Sequence, residues 1–133
     1  MRLLVNCPAK RDGTSVYRAW GVLPYLGASG LELVECPSSI NWTDMVSCDA
    51  VFIQRPIIQG AINLAMYAKQ YRKPVWIDYD DDLCCVPKDN PAHDMYNQDA
   101  YKENIKRLCS IADVVTVSTK ALADKLKPFS NQR

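Results

Sequence analysis

Five short apolar runs punctuate the chain: Leu3–Asn6, Leu31–Glu35, Ala50–Gln54, Pro74–Asp78 and Val114–Val117. Val, Ile, Phe and Trp crowd three of them with little strict alternation, as expected of strands buried on both faces. The stretches between them carry helical spacing. Val16, Ala19, Trp20 and Leu23 fall at i, i+3, i+4 and i+7, with Thr14 or Ser15 predicted as N-cap. Pro24 should kink or divide that helix. Ile58, Ile62, Ala65 and Met66 form a second stripe, followed by Lys69, Arg72 and Lys73 where a helix C-terminus favours cations. Tyr101, Ile105, Leu108 and Ala112 make a third. A short fourth helix starts at a Ser118 or Thr119 cap, carries Leu122 and Leu126, and stops at Pro128. Between Cys36 and Cys48 the pattern fits either a helical turn bearing Trp42 and Met45 or a loop.

This alternation predicts an α/β fold: a Rossmann-like, doubly wound, mainly parallel sheet of about five strands with helices on both faces. One domain is expected over residues 1–133. Right-handed crossovers allow the order 3-2-1-4-5, in which the chain reverses direction between strands one and four. Ligands in open α/β sheets bind beyond the carboxyl ends of the strands at such a reversal. Those ends lead into Cys7–Ser15 and Tyr79–Gln98, the loops richest in polar punctuation. The irregular stretch Asp80–Gln98 is long for a compact domain, and loops of that length are more often functional than idle.

Composition narrows the functional classes. At 133 residues and 15.0 kDa, with 48% hydrophobic and 23% charged residues, the chain is long enough and apolar enough to bury a core. Sixteen basic residues against fifteen acidic ones argue against general nucleic-acid binding. No apolar run approaches the ~18 residues of a membrane span, and the first residues read as a strand, so a cytoplasmic protein is expected. The six cysteines (Cys7, Cys36, Cys48, Cys84, Cys85, Cys109) show no C-x-x-C spacing, and His93 has no partner at ligand spacing. Reduced, structural cysteines are expected, and no metal site.

The chemistry concentrates in the run Asp78-Tyr79-Asp80-Asp81-Asp82. Four carboxylates within five residues repel one another and call for a cation, a basic partner or open solvent. Bound Mg²⁺ or Mn²⁺ is one reading. A general base with a raised pKa, at Asp80 or Asp81, is a second. In the third, Asp81 or Asp82 merely caps a turn near Leu83. Asp78-Tyr79-Asp80 also has the Asp-x-Asp spacing of haloacid dehalogenase phosphatases, but it follows the fourth strand rather than the first. A receiver domain is set aside because Cys7 and Ser118 stand where its acidic residues and lysine would be. Lys10-Arg11-Asp12-Gly13-Thr14-Ser15 offers a glycine and hydroxyls at a helix start, with neither a dinucleotide nor a P-loop pattern. Arg55, just after the third strand, should sit at the sheet's carboxyl edge beside the carboxylates.

Taken in order, these residues resemble the amino-terminal domain of GT-B-fold glycosyltransferases, near the large retaining family 4 and its phage-like relatives. The matching features are Tyr17-Arg18 opening the first helix with Pro24 inside it, and Asp49–Arg55. They continue with Lys73–Leu83, Ala112–Thr119, Leu122 and Leu126-Lys127-Pro128, covering nearly the whole chain. The resemblance implies transfer of a sugar from a nucleotide-sugar donor to an acceptor hydroxyl, with no bound cofactor or metal. It implies that this domain shapes the acceptor side, with an acceptor glycan or small molecule as ligand. The donor would be held by a further domain supplied in cis or in trans, without which no turnover is expected. Gly13, Ser15, Arg18, Arg55, Asp80, Asp81, Asp82 and Ser118 would line the cleft. The alternative is a stand-alone binding module that kept the fold without the chemistry.

Overall fold

The computed structural model describes residues 1–7, 12–26, 30–36 and 42–131. Five parallel strands form one sheet: β1 (Arg2–Asn6), β2 (Glu32–Glu35), β3 (Ala50–Gln54), β4 (Val75–Tyr79) and β5 (Val114–Val117). The fold is α/β and Rossmann-like, with helical segments on both faces. Each strand lies within one residue of the run that predicted it.

The strand order is β2-β1-β3-β4-β5, not 3-2-1-4-5. The sequence carries the reason. Ala-Val-Phe-Ile-Gln of β3 is apolar almost throughout and buried along four of its five residues, which suits an interior strand. Glu-Leu-Val-Glu of β2 exposes a carboxylate at each end, which suits an edge. The chain therefore reverses between β1 and β3, and Gln54 and Arg55 lie in the middle of the crevice.

Two cores sandwich the sheet. On one face Leu4, Val51, Ile53, Val75 and Ile77 pack with α3 (Trp42–Ser47), α4 (Gln59–Gln70), α6 (Asp99–Ile111) and α7 (Lys120–Leu126). Ile62, Ile105 and Leu108 are fully buried there, each worth about 1.5–3 kcal/mol of transfer free energy. In α4 the buried positions are Ala61, Ile62, Leu64, Ala65 and Ala68. Ile58 and Met66, expected on the buried stripe, are 56% and 42% exposed: Ile58 precedes the helix as its extended N-cap, and Met66 is not among the helix's buried residues, which include three alanines. Thr119 caps α7 through the Leu122 N–H, and Leu122 and Leu126 point inward as expected. Residues 42–47 resolve the ambiguity before Cys48 as a helix with Met45 buried.

On the other face Leu3, Val5 and Phe52 meet Ala19 and Leu23. Here the first helix is broken into a single turn, α1 (Gly13–Ser15), a π-helical turn over Val16–Trp20, and α2 (Leu23–Leu26). Asp12 is the cap, accepting from the Ser15 N–H at 2.7 Å, in place of Thr14 or Ser15. The division falls at Gly21-Val22, just before Pro24, as a proline near a helix start requires. Gly21 closes the π turn, its N–H reaching the Val16 carbonyl at 2.7 Å. The remaining short elements are α5 (His93–Tyr96) and a 3₁₀ turn over Lys127–Phe129 that contains Pro128.

Candidate functional site

The site grows from the carboxyl ends of β3, β4 and β5. Asp78, the last residue but one of β4, is only 3% exposed, and a carboxylate that deep needs a full set of partners. Arg18, from the π turn, supplies a two-pronged contact: Nε to Oδ2 at 2.9 Å and a terminal nitrogen to Oδ1 at 2.5 Å. The Thr116 hydroxyl on β5 donates to Oδ1 at 2.6 Å and itself accepts the Trp76 indole N–H at 2.9 Å. One chain of hydrogen bonds thus ties the first helical segment to β4 and β5.

Gln54 ends β3 only 1% exposed. Its carbonyl oxygen takes the Cys7 thiol, and its amide donates to the Thr14 carbonyl at 3.1 Å. Burial raises the Cys7 thiol's pKa, an effect partly offset by the neighbouring Ser15 hydroxyl, so Cys7 is held as a thiol.

Arg55 follows in a left-handed conformation, φ 49°, unusual for a residue other than glycine and more so just before Pro56. Its N–H still extends the ladder to the Asp78 carbonyl at 2.8 Å. The side chain spans the crevice, with Nε 3.2 Å from Asp80 Oδ1, a terminal nitrogen 3.7 Å from Asp81 Oδ2, and the other 3.4 Å from Thr14 Oγ1. Burial pushes the Asp80 carboxyl above the ordinary aspartate value, Arg55 pulls it back, and Asp81 and Asp78 push it up again. The crevice therefore holds a carboxylate with raised basicity beside an arginine, open to solvent at Asp81.

The predicted residues divide into two groups. Arg18, Arg55, Asp80 and Asp81 come together at the crevice, and Ser118 joins them by donating its hydroxyl to the Asp80 carbonyl. Gly13 is exposed with open space where a Cβ would stand. Ser15, the last residue of α1, is 1% exposed beside Cys7 and does not front the crevice. Asp82 turns away: Oδ1 takes the Cys84 N–H at 3.1 Å and Oδ2 pairs with Lys125 at 2.5 Å. That geometry is an Asx turn, the capping role foreseen for Asp81 or Asp82. His93 pairs with Asp94 on α5 at 2.9 Å. Lys10 and Arg11 lie outside the described residues. Among the described residues no three His, Cys, Asp or Glu side chains are arranged to hold a metal ion.

Sequence reasoning gave no role to Gln54 and Thr116, took Thr14 for a helix cap rather than a partner of Gln54 and Arg55, and passed over Asp78 in favour of its neighbours. Gln54 left one signal, a polar residue ending an otherwise apolar strand.

No protein-family model matches this chain, and no curated protein matches it. A solved structure with the same fold exists. It is a conserved protein from Enterococcus faecalis V583, 11% identical, superposing with a TM-score of 0.53 over 96% of this chain and 98% of that one. The likeness shows a shared α/β sheet architecture. No described helix is long and apolar enough to cross a membrane.

Proposed function

We propose that this chain is the acceptor-side domain of a glycosyltransferase, working with a donor domain that binds the nucleotide-sugar. The observation that carries this reading is the pairing of Arg55 with Asp80 at the carboxyl ends of β3 and β4. A carboxylate with raised pKa can take the proton of an attacking hydroxyl as its oxygen bonds the sugar's anomeric carbon, while the bond from that carbon to the donor's phosphate oxygen breaks and the nucleotide leaves with the electron pair on the donor-domain side. Arg55 orients that carboxylate and offers hydrogen bonds to neighbouring hydroxyls. Asp81, exposed at the rim, adds a further acceptor for sugar hydroxyls. Arg18 acts one step back, fixing Asp78 and with it the end of β4. A reducing, cytoplasmic setting fits the six free cysteines, three of them buried.

Binding by the purified chain tests the reading. A panel of saccharide acceptors and nucleotide-sugars is titrated calorimetrically against the wild type, Arg55→Ala and Asp80→Asn. The expected result is binding of an acceptor saccharide, weakened at least about tenfold by either substitution, with no binding of nucleotide-sugar and no turnover. Tight binding of the nucleotide-sugar, or no binding of any saccharide, overturns it.

A further inference from the structure

Arg55 keeps a backbone conformation, φ 49°, that residues other than glycine rarely adopt, and it does so immediately before a proline. Such conformations persist only where the surroundings over-determine them. Here three consecutive residues, at the end of β4 and just beyond it, supply the constraint. Asp78 accepts the Arg55 N–H on its carbonyl at 2.8 Å. Tyr79 donates its hydroxyl to the Pro56 carbonyl, also at 2.8 Å. Asp80 meets the Arg55 Nε at 3.2 Å. Each grips a different part of the Arg55–Pro56 pair: the backbone before, the backbone after and the side chain between.

The Tyr79 contact comes from inside the core. Tyr79 lies with Val75 and Ile77 on the four-helix face of the sheet and is 1% exposed. Burial pushes its phenol well above the usual value, so the hydroxyl remains a donor. A hydroxyl that deep needs a partner, and phenylalanine would fill the same space without that requirement. Pro56 has no N–H with which to continue the β3 ladder, and its carbonyl is the partner that Tyr79 holds. One residue further on, Asn104 of α6 donates to the Ile57 carbonyl at 2.9 Å. The turn leaving β3 is thus pinned at two successive carbonyls, while the Arg55 guanidinium reaches across the crevice to Thr14, Asp80 and Asp81.

We propose that Tyr79 is a positioning residue of the crevice: by fixing the Pro56 carbonyl it holds Arg55 left-handed and so aims the guanidinium at Asp80, with Asn104 supporting the same turn. Relaxation of that turn would swing the Arg55 Cα–Cβ bond and separate the guanidinium from Asp80. This role rests on Arg55 and Asp80 forming the site, as proposed above, but not on the reaction. Its test uses no saccharide, so failure of the role and failure of the reaction are distinguishable.

Carboxyl-carbon NMR titration of the labelled full chain tests it. Tyr79→Phe removes one hydroxyl and keeps the ring. The Asp80 carboxyl should then titrate higher than in the wild type, at least about half as far as Arg55→Ala moves it. Burial raises that carboxyl, and the arginine opposing burial has been released; Asp81 and Asp78, which also raise it, are untouched. The Arg55 Cα and Cβ shifts should lose their left-handed pattern in the same variant. Asn104→Ala, half-buried on α6, reads the same turn should the strand variant not fold, and should move Asp80 in the same direction. In an Arg55→Ala background, Tyr79→Phe should move Asp80 no further, because it acts through Arg55. A general loosening of the core would move Asp80 with or without that arginine. An Asp80 titration that the folded variants leave at its wild-type position, with Arg55 still left-handed, overturns the proposal. So does an equal shift in the Arg55→Ala background.

Discussion

At the scale of single residues, the buried Asp78 concentrates the most risk. Its charge is stabilised by Arg18 and Thr116 together, and removing Arg18 leaves it buried without a counter-charge. Arg18→Ala should cost about 3 kcal/mol in denaturant unfolding, since an uncompensated buried charge is far worse than a missing pair. Arg18→Lys should recover little, because an ammonium cannot reproduce the two-pronged contact. Arg55 acts on a carboxyl in the opposite direction from burial. With Arg55→Ala the Asp80 carboxyl should titrate still higher, which carboxyl-carbon NMR would show directly. The stability consequence has a definite sign. A carboxyl whose folded pKa is raised binds extra protons in the native state, so this group's contribution to stability falls as pH rises from the ordinary aspartate range through the raised value. The substitution should extend that fall to higher pH.

At the scale of elements, the lesson is how far pattern alone reaches. Strands were legible because an uninterrupted Val-Ile-Phe run has few other homes, and α6 and α7 because Tyr101, Ile105 and Leu108 in one and Leu122 and Leu126 in the other repeat at helical spacing. The break in the first helix was legible from Pro24, but its π turn was not. That turn depends on Gly21, where an added Cβ would lie 2.4 Å from the Val16 carbonyl oxygen. Gly21→Ala should therefore destabilise by about 1–3 kcal/mol and displace Arg18, visible as loss of the Arg18–Asp78 contact in the variant's structure. The amino end of the sheet holds a separate linkage. Asp113 pairs with Lys69 of α4 at 2.5 Å and accepts the Val75 N–H at 2.8 Å. Burial opposes its ionisation, but the Lys69 contact and that N–H together hold its carboxyl below the ordinary range. Its contribution is therefore present above the unfolded pKa and is lost as pH falls through the lower folded value. Asp113→Asn should flatten the acid side of the stability–pH curve.

At the scale of the molecule, strand order was where the crossover rule alone was not enough. The crossover rule permits several orders, and what decides among them is which strand tolerates an edge. Glu32 and Glu35 mark β2 for that place. The corrected order moves Gln54 and Arg55 to the centre of the crevice and leaves Ser15 beneath it and Asp82 beside α7. Half of the candidate cleft was thus legible from the acidic run and Arg55. The buried hydrogen bonds through Thr116, Trp76 and Gln54 were not, because they join residues about 40 positions apart that only the fold brings together. Under the proposed function, sugar hydroxyls meet this protein at the Arg55–Asp80 crevice. Amide chemical-shift mapping of the isotopically labelled chain, titrated with the acceptor saccharide that binds it, tests that most directly. The expected shifts cluster on Gln54, Arg55, Asp80, Asp81 and Ser118. Shifts confined to the amino end of the sheet around Lys69 and Asp113 would contradict it.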